Sequence, residues 1–393
     1  MIQKSSKKER TKVLHDQLTT YFRERILDGR LAAGTRLPTD SELAAEYKLS
    51  RDTVRQALAL LAGEGLIERI QGRGTFVCQP PTNAAPANNQ EQKQIGLLLN
   101  CLQAPHTYPD ATHVKMDYLI GVEQAAKMHG YSVSFSYAEG NQEQQERDIA
   151  RMQASHVAGM IVYPVGDATS SLPFQQLQAA HVPLVFIDRY LPDLQADFVG
   201  MDNRGGGYRV TEHLLILGHR RIGFIYMHEE TLNTSSVRER WQGYCAALQK
   251  YGIPYDESLV TPDLKPGYSS VQQSISEFLQ SPNRPGAIFA VNDYVALYVL
   301  QAATTLHLRV PRDLAIVGFD DERFAAHVQP PLTTIAQSFV YIGQRAGTLL
   351  LSRIEGNTGP PRRIELPANL IIRESCGAQL HVKKTLAIEE ASL

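Results

Sequence analysis

Apolar and polar positions alternate with two different periods along this chain, and the change of period marks its organisation. From about Lys12 to Asp28, Leu14, Leu18, Tyr21, Phe22 and Ile26 recur at helical spacing, and Gly29 supplies a stop. Thr39 and Glu42 have capping-box spacing, which predicts a short helix through about Tyr47. Ser50 caps a third helix to about Glu64, with Val54, Ala57, Leu58 and Leu61 as its core face. Asp52, Arg55 and Gln56 point elsewhere, and Arg51 lies on the first turn. Two short apolar stretches, Leu66–Ile70 and Thr75–Cys78, then flank Gln71-Gly72-Arg73-Gly74, the pattern of a hairpin with a glycine-rich tip. Three helices and a hairpin predict a winged helix-turn-helix.

Beyond it the pattern lapses. Residues 79–93 lack periodicity and are rich in Pro, Asn, Gln and Ala, so they read as a linker. From Gln94 onward short apolar strands recur at Ile95–Leu99, Ser132–Tyr137, Gly159–Tyr163, Leu184–Ile187, Ile222–Tyr226, Ala287–Ala290 and Leu314–Gly318. Amphipathic stretches separate most of them, for example Met116–His129, Gly205–Leu217, Val237–Tyr251 and Asp293–His307. Strand–helix alternation predicts parallel sheet covered by helices on both faces. The stretch is long for one such sheet and natural for two lobes, and Ile95-Gly96 and Ile222-Gly223 open similar units. The expected divisions are 1–78 for the head, 79–93 for the linker, 94–377 for an α/β two-lobed body and 378–393 for a loose tail.

Charge adds a partner to this picture. Residues 1–78 hold 14 Lys and Arg against 10 Asp and Glu. The remainder holds 39 − 14 = 25 against 41 − 10 = 31, so a basic head sits on an acidic body and the head is expected to meet a polyanion. Cys78, Cys101, Cys245 and Cys376 have neither disulfide-framework nor zinc spacing, which fits a reducing cytoplasm. The charged start lacks an apolar core, so no signal peptide is expected, and no apolar run has the length of a membrane span.

The head carries Leu37-Pro-Thr-Asp-Ser-Glu-Leu43, Leu49-Ser-Arg-Asp-Thr-Val-Arg-Gln-Ala-Leu58, Glu64-Gly-Leu-Ile67 and Gly72-Arg-Gly-Thr-Phe-Val77. Over residues 8–78 it closely resembles the GntR family of winged-helix regulators. The resemblance implies that Arg51, Thr53 and Arg55 contact double-stranded DNA and that Gly72, Arg73 and Gly74 approach the minor groove. An Arg at the start of a recognition helix can bond guanine O6 and N7 together. Asp52 stands where many relatives carry a neutral residue; it either accepts from a cytosine amine or braces Arg51 or Arg55.

The body carries Phe186-Ile-Asp-Arg189, the run from Val199 to Gly207, Leu217-Gly-His-Arg-Arg-Ile-Gly223, Arg240-Trp-Gln-Gly-Tyr244, Ala290-Val-Asn-Asp293, Val317-Gly-Phe-Asp-Asp321 and Pro330-Pro-Leu-Thr-Thr334. In that order they resemble the sensor domain of LacI/GalR-type repressors, related to periplasmic sugar-binding proteins. A GntR-type head on this body is similar to the arabinose-responsive repressors of Gram-positive bacteria. The resemblance places ligand contacts at Arg240, Asn292 and Asp320, near the carboxyl ends of strands where open α/β sheets bind ligands. Such a set suits a sugar, because Arg donates, Asp accepts and Asn does both. Arg189 and Asp167 are weaker candidates. Trp241 either stacks on the ligand or packs in the helix core. The loop 101–113 should line the cleft, with His106, Tyr108 and Asp110 undecided.

Other motifs carry less. Arg204-Gly-Gly-Gly207 lacks phosphate-loop spacing and reads as helix–strand packing. Asp320-Asp321 on a strand would point to opposite faces, which spoils a shared proton. His213, His219 and His228 have no metal spacing. The expectation is a cytoplasmic, homodimeric transcription regulator without metal or cofactor, not an enzyme, repressing until a sugar such as L-arabinose binds. Alternatives are an effector-dependent activator or a GntR-headed, pyridoxal-phosphate enzyme-like regulator; a transport component fits neither the head nor the start.

Overall fold

The computed structural model describes residues 18–23, 25–26, 30–32, 34–47, 49–63, 66–70, 74–77, 93–103, 112–138, 140–165, 172–227, 232–261 and 268–380. The chain divides into two compact units, Met1–Glu91 and Gln92–Leu393.

In the first unit, residues 18–23 and 25–26 are helical, followed by α1 (Asp40–Glu46) and α2 (Arg51–Gly63). The capping box forms: Glu42 N–H donates to the Thr39 hydroxyl and Thr39 N–H donates to the Glu42 carboxylate at 2.7 Å. That exchange satisfies two amides with no intrahelical partner, an arrangement worth about 1 kcal/mol. Leu18, Phe22 and Ile26 meet Leu43, Val54, Ala57, Leu58 and Leu61 in one core, so the anticipated helix faces are the buried ones. Strands β1 (Ile67–Ile70) and β2 (Gly74–Val77) pair antiparallel with Ile70 opposite Gly74. Gly74 thus opens β2 instead of lying in the turn, at φ +118, with Arg36 Nε only 2.8 Å from where a Cβ would stand.

The second unit holds two parallel sheets. The first contains β3 (Gln94–Gln103), β4 (Thr112–Val114), β5 (Ser132–Ala138), β6 (Met160–Val162), β7 (Leu184–Ile187), β8 (Asp197–Met201) and β14 (Arg363–Leu366), in the order β14-β8-β7-β6-β3-β4 with β5 also on β3. Only β4 is antiparallel. Its helices are α3 (Met116–Met128), α4 (Gln142–Ala154), α5 (Leu172–Ala179) and α10 (Phe339–Ile354). Alternation along the strands fills two cores: Val185 and Ile187 join one cluster and Phe186 the other.

The second sheet has the order β10 (Val260–Thr261), β9 (Ile222–Ile225), β11 (Ala287–Ala290), β12 (Ala315–Val317). It is accompanied by α6 (Asn203–Ile216), α7 (Ser235–Lys250), α8 (Tyr268–Gln280) and α9 (Asp293–Thr305), while β13 (Thr334–Ala336) pairs with β15 (Asn369–Ile371). The chain passes between the lobes after β8, between β13 and α10, and between β14 and β15. The seven expected strands are present within a residue or a few of their predicted ends. A strand ahead of Arg204 is also expected, and β8 is that strand; β4, β10, β13, β14 and β15 were not anticipated, being two to four residues long.

Of the glycines of 205–207, Gly206 faces Phe319 and Ala368, beside the strands, as the helix–strand reading expects, whereas Gly207 serves helix–helix packing. A Cβ on Gly207 would stand 2.2 Å from the Arg240 carbonyl oxygen, and one on Gly243 would stand 2.1 Å from that of Arg204. The bare backbones let α6 and α7 touch.

Candidate functional site

In the head, Arg51 is exposed at the start of α2, and the Arg55 side chain is 60% exposed with Nε 3.8 Å from Asp40 Oδ2. Thr53 is buried, and its hydroxyl bonds that of Ser50 at 2.7 Å. Its N–H donates to the same Ser50 oxygen, so Thr53 braces the helix start and does not present its hydroxyl to solvent. The residue that the resemblance assigns to DNA is thus held against Ser50 in this structure. Gly72 and Arg73 lie outside the described residues, and Asp52 is described only as part of α2.

In the body, Arg240 organises the space between the lobes. Its Nε donates to Asn203 Oδ1 at 2.8 Å, Nη1 to the Val291 carbonyl at 2.7 Å, and Nη2 faces Asp320 Oδ1 at 3.5 Å. The guanidinium lies 3.8 Å from the centre of the Phe319 ring, so one face is packed and the edge is directed. Asn292 is buried and caps α9 by accepting from Val295 N–H at 2.9 Å.

Asp320 and Asp321 are not on a strand, contrary to expectation. They follow β12 in a loop at φ +113 and +54. They still diverge: Asp320 faces Arg240 and accepts from Gln337 Nε2, while Asp321 pairs with Arg373 at 2.7 Å. Asp293 holds this loop. Its carboxylate accepts from Thr334 Oγ1 at 2.6 Å and from Glu322 N–H at 2.8 Å, and its own N–H donates to the Phe319 carbonyl. Burial, then the Asp320 carboxylate, holds Asp293 well above the usual carboxylate range. Burial raises Asp320 too, opposed by Arg240 and Lys115.

The other lobe answers with Asp188, Arg189, Tyr118 and Lys115. Asp188 leaves β7 at φ +63, accepts from the Tyr118 hydroxyl at 3.2 Å, and lies 3.6 Å from Arg189 Nε. Arg189 also stacks over Tyr163 at 5.1 Å. Lys115, just before α3, pairs with Glu322 of the opposite lobe and sits 4.3 Å over the Phe339 ring. Burial pulls its ammonium below the usual lysine range, against the pull of Asp320 and Asp188.

Of the five sequence candidates, Asn292, Asp320 and Arg189 lie at a helix cap or just past strand ends, Arg240 lies in the second turn of α7, and all four face this space. Asp167 lies outside the described residues, as do His106, Tyr108, Asp110 and His228. Trp241 packs edge-on to Tyr255 with ring centres 6.2 Å apart, which is the core-packing alternative. Sequence reasoning missed Asn203, Lys115, Tyr118, Asp188, Asp293, Glu322 and Gln337. Asn203, Asp188 and Asp293 stood inside segments already singled out, whereas Lys115 gave no local signal. Among the described residues no His, Cys, Asp and Glu group could hold a metal ion, and His213 instead bonds Cys376 Sγ at 3.3 Å. No helix among them is long and apolar enough to cross a membrane.

A winged helix-turn-helix joined to a two-lobed α/β body with a polar interlobe site defines a DNA-binding transcription regulator. Residues 14–77 match the gntR family of bacterial regulatory proteins, and residues 211–376 match the periplasmic binding protein-like domain. The chain is 29% identical to the arabinose metabolism transcriptional repressor of Geobacillus stearothermophilus, over 88% of this chain and 93% of that protein. It is 30% identical to the HTH-type transcriptional regulator PtxS of Pseudomonas putida, over 87% of this chain and 96% of that protein. The solved structure of the regulator CelR in complex with cellobiose superposes with a TM-score of 0.62 at 27% identity, covering 86% of this chain and all of that one. The chain belongs to the helix-turn-helix transcriptional regulators, with a gntR-family head and a periplasmic binding protein-like body. The pyridoxal-phosphate alternative required an aminotransferase-like body, and the matched body is of a different kind.

Proposed function

We propose that this regulator is a cytoplasmic repressor that holds a pseudo-palindromic operator as a homodimer and releases it when a small sugar binds between the lobes. The division into head 1–78, linker 79–93, sensor 94–377 and tail 378–393 belongs to the same reading. The observation that carries it is the setting of Arg240. One buried guanidinium is aimed by Asn203, Val291 and Phe319 at the space that Asp320 shares with Asp188 of the other lobe. A sugar needs donors and acceptors converging in a mostly dry site, and this set supplies both. Arg240, Asn292, Asp320, Arg189 and Asp167 are assigned to the sugar. Arg51, Arg55, Arg73, Gly72, Gly74 and Asp52 are assigned to DNA, with Thr53 acting through the helix start.

The relatives described as arabinose repressors support L-arabinose as the first sugar to test. A thermal-shift screen of pentoses and hexoses reads binding directly, because a ligand of the native state raises the melting temperature. Operator gel shifts with the stabilising sugar then separate repression relieved by ligand from activation requiring it. A protein that no pentose or hexose stabilises is not a sugar sensor, and a monomer by light scattering with and without operator defeats the dimer.

A further inference from the structure

Every cation that the described residues place between the lobes already has a carboxylate. Arg240 has Asp320 at 3.5 Å, Arg189 has Asp188 at 3.6 Å, and Lys115 has Glu322. Lys115 and Glu322 come from opposite lobes, and their side chains are only 18% and 14% exposed. Asp293, beneath Glu322, has both oxygens occupied by Thr334 and the Glu322 amide. The site is rich in charge yet balanced pair by pair.

An acidic ligand entering this space would lose its hydration among three carboxylates, and any cation it took would leave a buried carboxylate behind. A buried ion whose partner is removed is strongly destabilising. A neutral polyol meets neither cost. It can accept from paired cations and donate to paired carboxylates without displacing either.

Resting on the sugar-sensor reading, we infer that the effector is an uncharged sugar, and that the Lys115–Glu322 pair excludes sugar acids and sugar phosphates. Lys115 bridges the lobes where a ligand would be enclosed, so an unpaired ammonium there would attract the carboxylate that the pair now rejects. The Glu322 backbone N–H holds Asp293 independently of the side-chain carboxylate. Glu322→Gln therefore removes the charge while leaving that anchor in place.

The test compares affinities of full-length protein for D-glucose against D-glucuronate, D-xylose against D-xylonate and L-arabinose against L-arabinonate, by calorimetry, with D-ribose 5-phosphate against D-ribose as the phosphate arm. In the wild type the neutral sugars bind and each charged counterpart binds at least about tenfold more weakly. In Glu322→Gln the discrimination against acids shrinks by about tenfold or more, equivalent to about 1.4 kcal/mol. Adding Lys115→Met to Glu322→Gln restores it, because no unpaired cation remains. Thermal unfolding of each variant verifies the fold, and the wild-type comparison decides the ligand's charge even if a variant fails to fold. A wild type that binds an acid or phosphate as tightly as its neutral partner overturns the inference and leaves the sugar site standing. An unchanged ratio in a folded Glu322→Gln overturns the role of the pair. Binding of neither class defeats the sugar-sensor reading itself and the inference with it.

Discussion

Gly207 on α6 meets the backbone of Arg240 on α7 so closely that a single added carbon would stand 2.2 Å from the Arg240 carbonyl oxygen. The position of the guanidinium between the lobes is therefore fixed partly by a residue that has no side chain. Gly207→Ala should push the two helices apart, since its obstacle is backbone that cannot rotate away. Overpacking of this kind costs about 1–3 kcal/mol. The expected result is a lower melting temperature together with weakened sugar binding, read by thermal unfolding and calorimetry. An alanine variant with unchanged stability and affinity would mean that the helices separate freely.

Arg240→Ala and Asp320→Asn should both abolish the response to sugar, for different structural reasons. Alanine at 240 strips Asn203 Oδ1 and the Val291 carbonyl of their donor, leaving buried acceptors at about 1–3 kcal/mol each. It should lower stability as well as sugar affinity. Asparagine at 320 keeps shape and one acceptor, so its loss should be confined to sugar binding. Gel shifts check both: operator is bound in each case, and added sugar no longer releases it. Release by both variants at the wild-type sugar concentration would place the pocket elsewhere.

Much of this architecture was legible because strong periodicity survives folding. The core face Val54, Ala57, Leu58 and Leu61 was readable at i, i+3 and i+4 spacing, and all four are buried. Arg240 and Asp320 were readable only through their resemblance to known sensors. Their partners were not, because pairing across lobes joins residues far apart in the chain. Lys115 and Glu322 are separated by 207 positions, and neither sits in a pattern that differs from a solvated surface. The loop carrying Asp320 and Asp321 was misread as strand because Leu314–Gly318 runs straight into it, and the positive φ values leave no mark in an Asp-Asp sequence.

Within the head, Arg51 and Thr53 should respond oppositely to substitution. Arg51→Ala and Arg55→Ala remove exposed cations from the start of the helix assigned to the major groove. Each should weaken specific operator binding by about 1–3 kcal/mol if it reads a base. Thr53→Ala should instead lower the melting temperature, by loss of its partly buried bond to Ser50, with operator preference over random DNA preserved. Fluorescence anisotropy on operator and random duplexes separates these outcomes. Equal losses on both duplexes for Arg51 and Arg55 would make them phosphate contacts.

Asp293 gives stability a pH dependence of predictable sign. Burial, followed by Asp320, raises its folded pKa well above the ordinary carboxylate value of 3.8. The folded state thus favours the protonated acid, and the contribution is fully present below 3.8. It is lost as pH rises through the folded pKa, because the native state must then carry a buried charge. Asparagine at 293 is neutral at every pH and can still serve the site. Its oxygen can accept from the Glu322 amide, and its amide can donate to the Thr334 hydroxyl oxygen. Wild-type stability should therefore fall relative to Asp293→Asn as pH is raised above 3.8, with the two curves converging towards acid. Chemical denaturation at a series of pH values measures the difference directly. Parallel curves would show that Asp293 titrates alike in the folded and unfolded chain, and a difference that shrinks with rising pH would reverse the sign argued from its burial.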